Sequence, residues 1–324
     1  GSGAAAGDRK TRPVTLLEGL KARAPKGTSV GYARGASYDF AAAGKTDGFA
    51  EAVALAQKSD VIIAAVGEHW NMTGEAASRT SLDLPGNQQA LLEELKKTGK
   101  PLIVVLMSGR PNSIGWADTN ADAILEAWYP GTMGGHAISD VLYGDYNPSA
   151  KLPVTFPRNV GQVPIHYDMK NTGRPIELGA PGAKYVSRYL DAPNTPLYPF
   201  GYGLSYTSFT YSPVTLDKAA IRPGEKLTAT VSVTNSGTRD GEEVVQLYVR
   251  DLVGSVTRPV KELKGFEKVA LKKGETRTIR FTLSDKDLAF TRQDMSWGSE
   301  PGQFRLWVGP SSAQGSEASF ELTE

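Results

Sequence analysis

The sequence predicts an α/β domain, a mostly parallel sheet sandwiched by helices, followed by an all-β sandwich. Three observations carry this. Helix-like and strand-like segments alternate from residue 13 to about residue 156. The strand-like runs in that half are apolar along their whole length, as strands covered on both faces must be. From about residue 211 the helices stop, and short β-branched and aromatic runs follow one another between turn signals. The 324 residues are about twice an ordinary single domain, which also argues for two.

Residues 13–23 (PVTLLEGLKAR) open on a Pro suited to a first helical position, and Val14, Leu17 and Leu20 recur three apart on one face. Residues 28–33 predict a strand, 48–58 a second helix, and 61–66 (VIIAAV) a continuous apolar strand. A helix over 88–97, strands over 102–107 and 123–128, and a helix over 132–142 complete the first half. The order starts with a helix after GSGAAAGD, where a wound sheet ordinarily opens with a strand. The reading favoured is that the chain is a piece of something longer; the opening GSG also reads as a cloning scar. Glycines over 131–135 suggest close packing against a neighbouring strand.

In the second half, residues 228–234 (TATVSVT), 243–250 (EVVQLYVR), 277–283 (RTIRFTL) and 303–308 (QFRLWV) are separated by turns at 222–225, 235–237 and 272–275. This spacing predicts a seven-strand antiparallel sandwich of immunoglobulin or fibronectin type III kind. The stretch 157–210, rich in Pro, Gly, Asn and Tyr, predicts an ordered connection with its 198–206 aromatics as an interdomain seal. The expected division is 1–170 for the α/β domain, 171–210 for the linker and 211–324 for the sandwich.

Charge excludes several function classes. Lys and Arg number 36 against 35 Asp and Glu, with no run of one sign, so there is no footprint for nucleic acid or an anionic membrane. No apolar run approaches the roughly 18 residues of a spanning helix. The chain has no cysteine, which removes disulfides, thiolate metal sites and cysteine catalysis together. Its histidines, His69, His136 and His166, are too scattered for a metal site. A dinucleotide enzyme finds no G-x-G-x-x-G after a strand.

In an open parallel sheet, ligands bind beyond the carboxyl ends of the strands. The segment there from 67 to 85 (GEHWNMTGEAASRTSLDLP) is far longer than a usual strand-to-helix connection. It concentrates Glu68, His69, Trp70, Glu75 and Arg79, and a carboxylate beside an indole suits carbohydrate: sugar C–H faces lie on the indole, while a glycosidic oxygen needs a proton donor. On the residues alone Glu75 is an exposed loop carboxylate. Glu68 is a second candidate acid, with hydrogen bonding to the loop backbone the favoured reading, and Met72 reads as packing.

This segment, extended to G-N-Q at 86–88, resembles the acid/base loop of family 3 glycoside hydrolases, the β-glucosidase and β-xylosidase group. In order, W-Y-P-G at 128–131 with Gly134 and Gly135, G-D-Y-N-P-S-A-K-L-P at 144–153 with T-F-P at 155–157, and L-Y-P-F-G-Y-G-L-S-Y at 197–206 agree as well. N-T-G-R-P at 171–175 resembles the bacterial periplasmic branch.

The resemblance implies an α/β sandwich domain followed by a fibronectin-like domain, without cofactor. It implies Glu75 as the general acid/base, by its position in G-E-A-A-S-R. Trp70 is a candidate to stack on the aglycone, with capping of the sheet edge an equal alternative. Arg79 is a candidate substrate contact, with pairing to a carboxylate the commoner role. The family's (β/α)8 barrel, which holds the aspartate nucleophile, has no counterpart in this sequence. The implied function is therefore the acid/base-bearing part of a retaining exo-β-glycosidase acting on terminal β-D-glucosyl residues, inactive without the barrel. The implied partners are a β-glucoside or oligosaccharide substrate and the barrel, with a homodimer left open, and the implied location is periplasmic or secreted. The alternative is a non-catalytic carbohydrate-binding or scaffold module.

Overall fold

The computed structural model describes residues 12–175 and 183–324. The opening GSG and residues 176–182 of the expected linker lie outside the described residues. The chain divides into two compact units, Gly1–Tyr146 with Pro157–Val163, and Asn147–Phe156 with Pro164–Glu324.

The first unit begins with helix α1 (Leu16–Arg23). Its start falls three residues after Pro13 because Thr15 closes a capping box: the Glu18 N–H donates to Thr15 Oγ1 at 3.2 Å, and the Thr15 N–H donates to Glu18 Oε2 at 2.9 Å. Then follow α2 (Phe49–Gln57), β1 (Ile62–Gly67), α3 (Gln88–Lys96), β2 (Leu102–Met107), α4 (Gly115–Asn120), β3 (Ala123–Glu126) and α5 (Gly134–Tyr143). The strands form a parallel sheet in the order β1-β2-β3, with Ile62 opposite Leu102 and Ile103 opposite Ala123. Val104, Val105 and Leu106 are all buried on the central strand. Successive residues point to opposite faces, so both faces of β2 are covered, as its unbroken apolar run requires.

Three expectations are corrected. Among the described residues, 28–33 pair with no strand; the segment runs past a helix instead, where a Cβ on Gly31 would press on Leu55 of α2, and just beyond it one on Gly35 would press on Leu91 of α3. Helix α4 adds an element that the pattern does not predict, because GWADTN is too short and polar for helical periodicity to show, although Ile114 and Ala117 are buried. Gly135, in the first turn of α5, packs on α1 and the residues leading into it and not on a strand: a Cβ on Gly19 of α1 would collide with the Gly135 carbonyl, and Gly135 donates its N–H to Val14 O at 3.1 Å.

The second unit contains β4 (Phe209–Tyr211), β5 (Thr215–Leu216), β6 (Ala220–Ile221), β7 (Lys226–Asn235), β8 (Gly241–Asp251), β9 (Glu262–Leu271), β10 (Thr276–Ser284), β11 (Phe290–Thr291), β12 (Trp297–Gly298), β13 (Gly302–Ser311) and β14 (Gln314–Leu322). Among the described residues one sheet places β7 between β10 and β4, with β5 also on β7. The other runs β6-β14-β13-β8-β9, and β11 pairs with β12. Alternate residues of β7 (Leu227, Ala229, Val231, Val233) meet Ile279, Phe281 and Leu283 of β10 and Leu247, Leu306 and Phe320 of the second sheet in one core. Two departures stand out. The pairing of β6 with β14 is parallel, so the sandwich is not wholly antiparallel. Strands β9 (ELKGFEKVAL) and β14 (QGSEASFEL) were not foreseen, since their charged outward positions dilute the β-branched signal.

Within this unit the stretch before the sandwich is tied to it. Leu152 N–H donates to Tyr202 O and Gly201 N–H to Leu152 O, each at 2.8 Å. Gln246 Nε2 of β8 reaches Gly201 O at 3.1 Å. The Tyr167 ring stacks on Phe200 at 4.3 Å and meets Tyr248 of β8 edge-on at 5.7 Å.

Candidate functional site

The carboxyl ends of β1, β2 and β3 present Gly67-Glu68, Ser108-Gly109-Arg110 and Glu126 along one edge of the first unit's sheet. Gly67 has φ +139°, and a Cβ there would collide with the Met107 backbone, so the chain leaves β1 through a position only glycine fills. The Gln88 side chain, at the start of α3, fastens both ends of the long loop. Its Oε1 accepts from Gly67 N–H at 2.8 Å, while its Nε2 donates to Gly67 O at 2.8 Å and to Pro85 O at 2.9 Å.

Glu68 is the hub beneath this loop. Its carboxylate is wholly buried and pairs with Arg79 and with Arg110, whose Nε lies 3.0 Å away. Thr73 Oγ1 donates to Glu68 Oε2 at 2.6 Å and Ser108 Oγ at 3.0 Å. Burial would push this carboxyl up, but the Thr73 and Arg79 hydrogen bonds, the Arg110 charge and Ser108 together hold it below the usual carboxylate range. The expected partner of Glu68, loop backbone, is thus replaced by side chains. Removing one partner of such a buried pair typically costs 3–5 kcal/mol, roughly, because a charge is left unmatched.

Of the residues singled out from sequence, Arg79 and Glu68 are brought together. The Arg79 side chain is 8% exposed: it grips Glu68, donates to Asp83 O at 2.9 Å and lies over the Phe40 ring at 5.4 Å. Glu75 is different. It is exposed at the tip of a turn between Gly74 (φ +114°) and Ala76 (φ +57°), and among the described residues it has no hydrogen-bond or ion-pair partner. Trp70, five residues earlier on the same loop, is 61% exposed. His69 meets Trp70 at 5.4 Å and stacks on Tyr38 at 4.7 Å, so the three rings form one open row. Its Nδ1 lies 2.6 Å from Asn71 Oδ1, a local structural contact. Met72 contributes its carbonyl, which accepts from Arg110.

Sequence reasoning missed Arg110 and Glu126. Both could have been sought at the ends of the second and third predicted strands, the edge where Glu68 lies. Arg110 donates to the Met72 carbonyl, to Ala77 O at 3.0 Å and to Thr73 Oγ1 at 3.1 Å. Glu126 accepts the Trp128 N–H at 2.9 Å on one oxygen, and its other oxygen is buried without a partner among the described residues. Burial pushes this carboxyl up to about 8, against the smaller opposing effect of the Trp128 hydrogen bond. Trp128 itself holds φ +48°, so β3 ends two residues earlier than its apolar run predicts. Gly109 is wedged between Thr73 and the Tyr129 ring, which joins the turn after β3 to the loop after β1. Among the described residues no cluster of three or more His, Cys, Asp and Glu could hold a metal ion.

A parallel α/β sheet whose long edge loop carries an exposed carboxylate and an open aromatic row, followed by a β-sandwich, is the two-part organisation that two family models match in this chain. The chain belongs to glycosyl hydrolase family 3: residues 1–206 match the glycosyl hydrolase family 3 C-terminal domain and residues 243–312 the fibronectin type III-like domain. It is 47% identical to a periplasmic β-glucosidase of Salmonella typhimurium, over 99% of this chain and 44% of the relative. It is 43% identical to a β-xylosidase of Formosa agariphila, over 96% of this chain and 41% of the relative. A mutant β-glucosidase of Listeria innocua in complex with laminaribiose superposes with a TM-score of 0.89 at 36% identity, covering 96% of this chain and 42% of that one. The chain thus spans less than half the length of these relatives.

Proposed function

We propose that this chain provides the acid/base part of a retaining exo-β-glycosidase that removes terminal β-D-glucosyl residues, working only beside a (β/α)8 barrel that carries the nucleophile. The observation that supports it is Glu75: a carboxyl without a partner among the described residues, at the tip of a loop braced from beneath by the buried Glu68 ion network. A retaining glycosidase needs two carboxyls about 5–5.5 Å apart. One attacks the anomeric carbon as the glycosidic bond breaks, and Glu75 gives its proton to the departing oxygen. Glu75 then takes a proton from the water that releases the sugar. Trp70 stacks on the group leaving with that oxygen. Arg79, with little surface open, acts through Glu68 on the loop and not on the sugar. A periplasmic location follows the name of the Salmonella relative, and the β-xylosidase relative makes terminal β-xylosides the second substrate to assay.

The test compares the chain alone with the chain joined to the part of the Salmonella relative that the match leaves uncovered, where this reading puts the barrel, on p-nitrophenyl β-glucoside. The chain alone should release no nitrophenol, and the joined protein should turn over. Glu75→Gln should lower hydrolysis of poor leaving groups by about 10²–10⁴, while on the 2,4-dinitrophenyl glucoside, whose leaving group departs without a proton, azide should take the place of the activated water and restore turnover as glucosyl azide. Activity of the chain alone that Glu75→Gln abolishes, or joined activity indifferent to that change, would refute the proposal.

A further inference from the structure

We infer that Arg110 is the positioning residue for the Glu75 carboxyl, an inference that rests on the acid/base reading of Glu75. Its guanidinium holds both limbs of the turn at once: the Met72 carbonyl and Thr73 Oγ1 on the approach, and Ala77 O, at 3.0 Å, on the return. Between them lie only Gly74, Glu75 and Ala76. The turn needs such a tie, because Ala76 sits in the left-handed region at φ +57°, a conformation unfavourable for a residue with a Cβ that persists only when its surroundings enforce it.

The anchor is itself held. Arg110 Nε lies 3.0 Å from the buried Glu68 carboxylate, and the Arg110 backbone N–H donates to Ser108 Oγ at 3.2 Å. Ser108 Oγ in turn donates to Glu68 at 3.0 Å. Glu68 stays ionised among these donors, so the guanidinium has a fixed seat on the rigid end of β2 while its outer nitrogen grasps the loop. Lysine cannot replace it, since a single ammonium lacks the planar fork that meets a carboxylate on one side and two carbonyls on the other. Displacing a reacting group by about 1 Å costs on the order of 10²-fold in rate. Arg110→Lys should therefore imitate loss of Glu75 without touching sugar.

Two measurements test this. On the 324-residue chain, deuterium exchange should rise at least tenfold in peptides covering residues 72–78 of Arg110→Lys, with peptides of the β-sandwich unchanged. On the barrel-joined protein, Arg110→Lys should lower kcat on p-nitrophenyl β-glucoside by about 10–100-fold at unchanged KM. It should leave kcat/KM on the 2,4-dinitrophenyl glucoside, which reports only the first step and whose leaving group needs no proton, nearly unaffected. Thr73→Val, which removes one Arg110 contact while keeping the shape, should do the same more weakly, and it serves as the readout if Arg110→Lys does not fold. If Glu75→Gln shows the leaving-group split and the Arg110 and Thr73 variants do not, the positioning role is overturned alone. If Glu75→Gln shows no split, the acid/base reading falls and the inference with it. Unchanged exchange over 72–78 overturns the clamp whatever the kinetics.

Discussion

Glu126→Gln should make the first unit more resistant to alkaline conditions. Burial raises the native carboxyl from 4.5 to about 8, whereas in the unfolded chain it returns to the ordinary value. Between those values the native state keeps a proton that the unfolded state has released, so stability falls as pH rises. The contribution is complete below about pH 4.5 and lost as pH climbs through about 8. At about 1.4 kcal/mol per pH unit the ceiling is ~5 kcal/mol. Because Glu126 is only partly buried as a residue, we expect about 2–4 kcal/mol between pH 5 and pH 8. Glutamine keeps the acceptor for the Trp128 N–H and cannot ionise. Glu68 runs the other way: its lowered carboxyl stabilises above the unfolded value and loses that effect as pH falls through the native one. Urea unfolding at pH 5, 6, 7 and 8, with the first unit's transition assigned by pulsed deuterium labelling, should show a slope in the parent that Glu126→Gln flattens. Equal slopes, or a Glu126 carboxyl ¹³C titration centred near its ordinary value, would refute the reasoning.

Gly67→Ala should destabilise the first unit by about 2–4 kcal/mol, since a Cβ would meet the Met107 backbone at φ +139°; a thermal midpoint within 1 °C of the parent would contradict this. Trp70→Ala, at an exposed position, should change stability by less than about 0.5 kcal/mol. In the barrel-joined protein it should raise KM for disaccharides while sparing small alkyl glucosides, and equal effects on both would remove the indole from the leaving-group side.

Much of the fold can be read from local pattern. The runs at 61–66 and 102–107 and the first four residues of 123–128 lie in strands, the first shifted by one residue, because largely apolar segments between turn residues have few alternatives, and helices α2, α3 and α5 follow from periodicity alone. The motif around Glu75 carries the resemblance to the family for the same reason: a short, ordered string of residue types is visible without knowing where it folds.

Tertiary structure decided what depends on distant neighbours. Residues 28–33 have strand composition but meet a helix and not a free strand edge, so their backbone stays unladdered. Arg79 is drawn inward by Glu68, and Arg110 reaches the loop from 33 to 38 residues away, pairings that no periodicity encodes. The proton on Glu126 is set by desolvation, which the packed chain creates and the linear one lacks. Composition and spacing determine which segments form elements, while charge state and contact between elements arise only once the chain has excluded water from the same small volume.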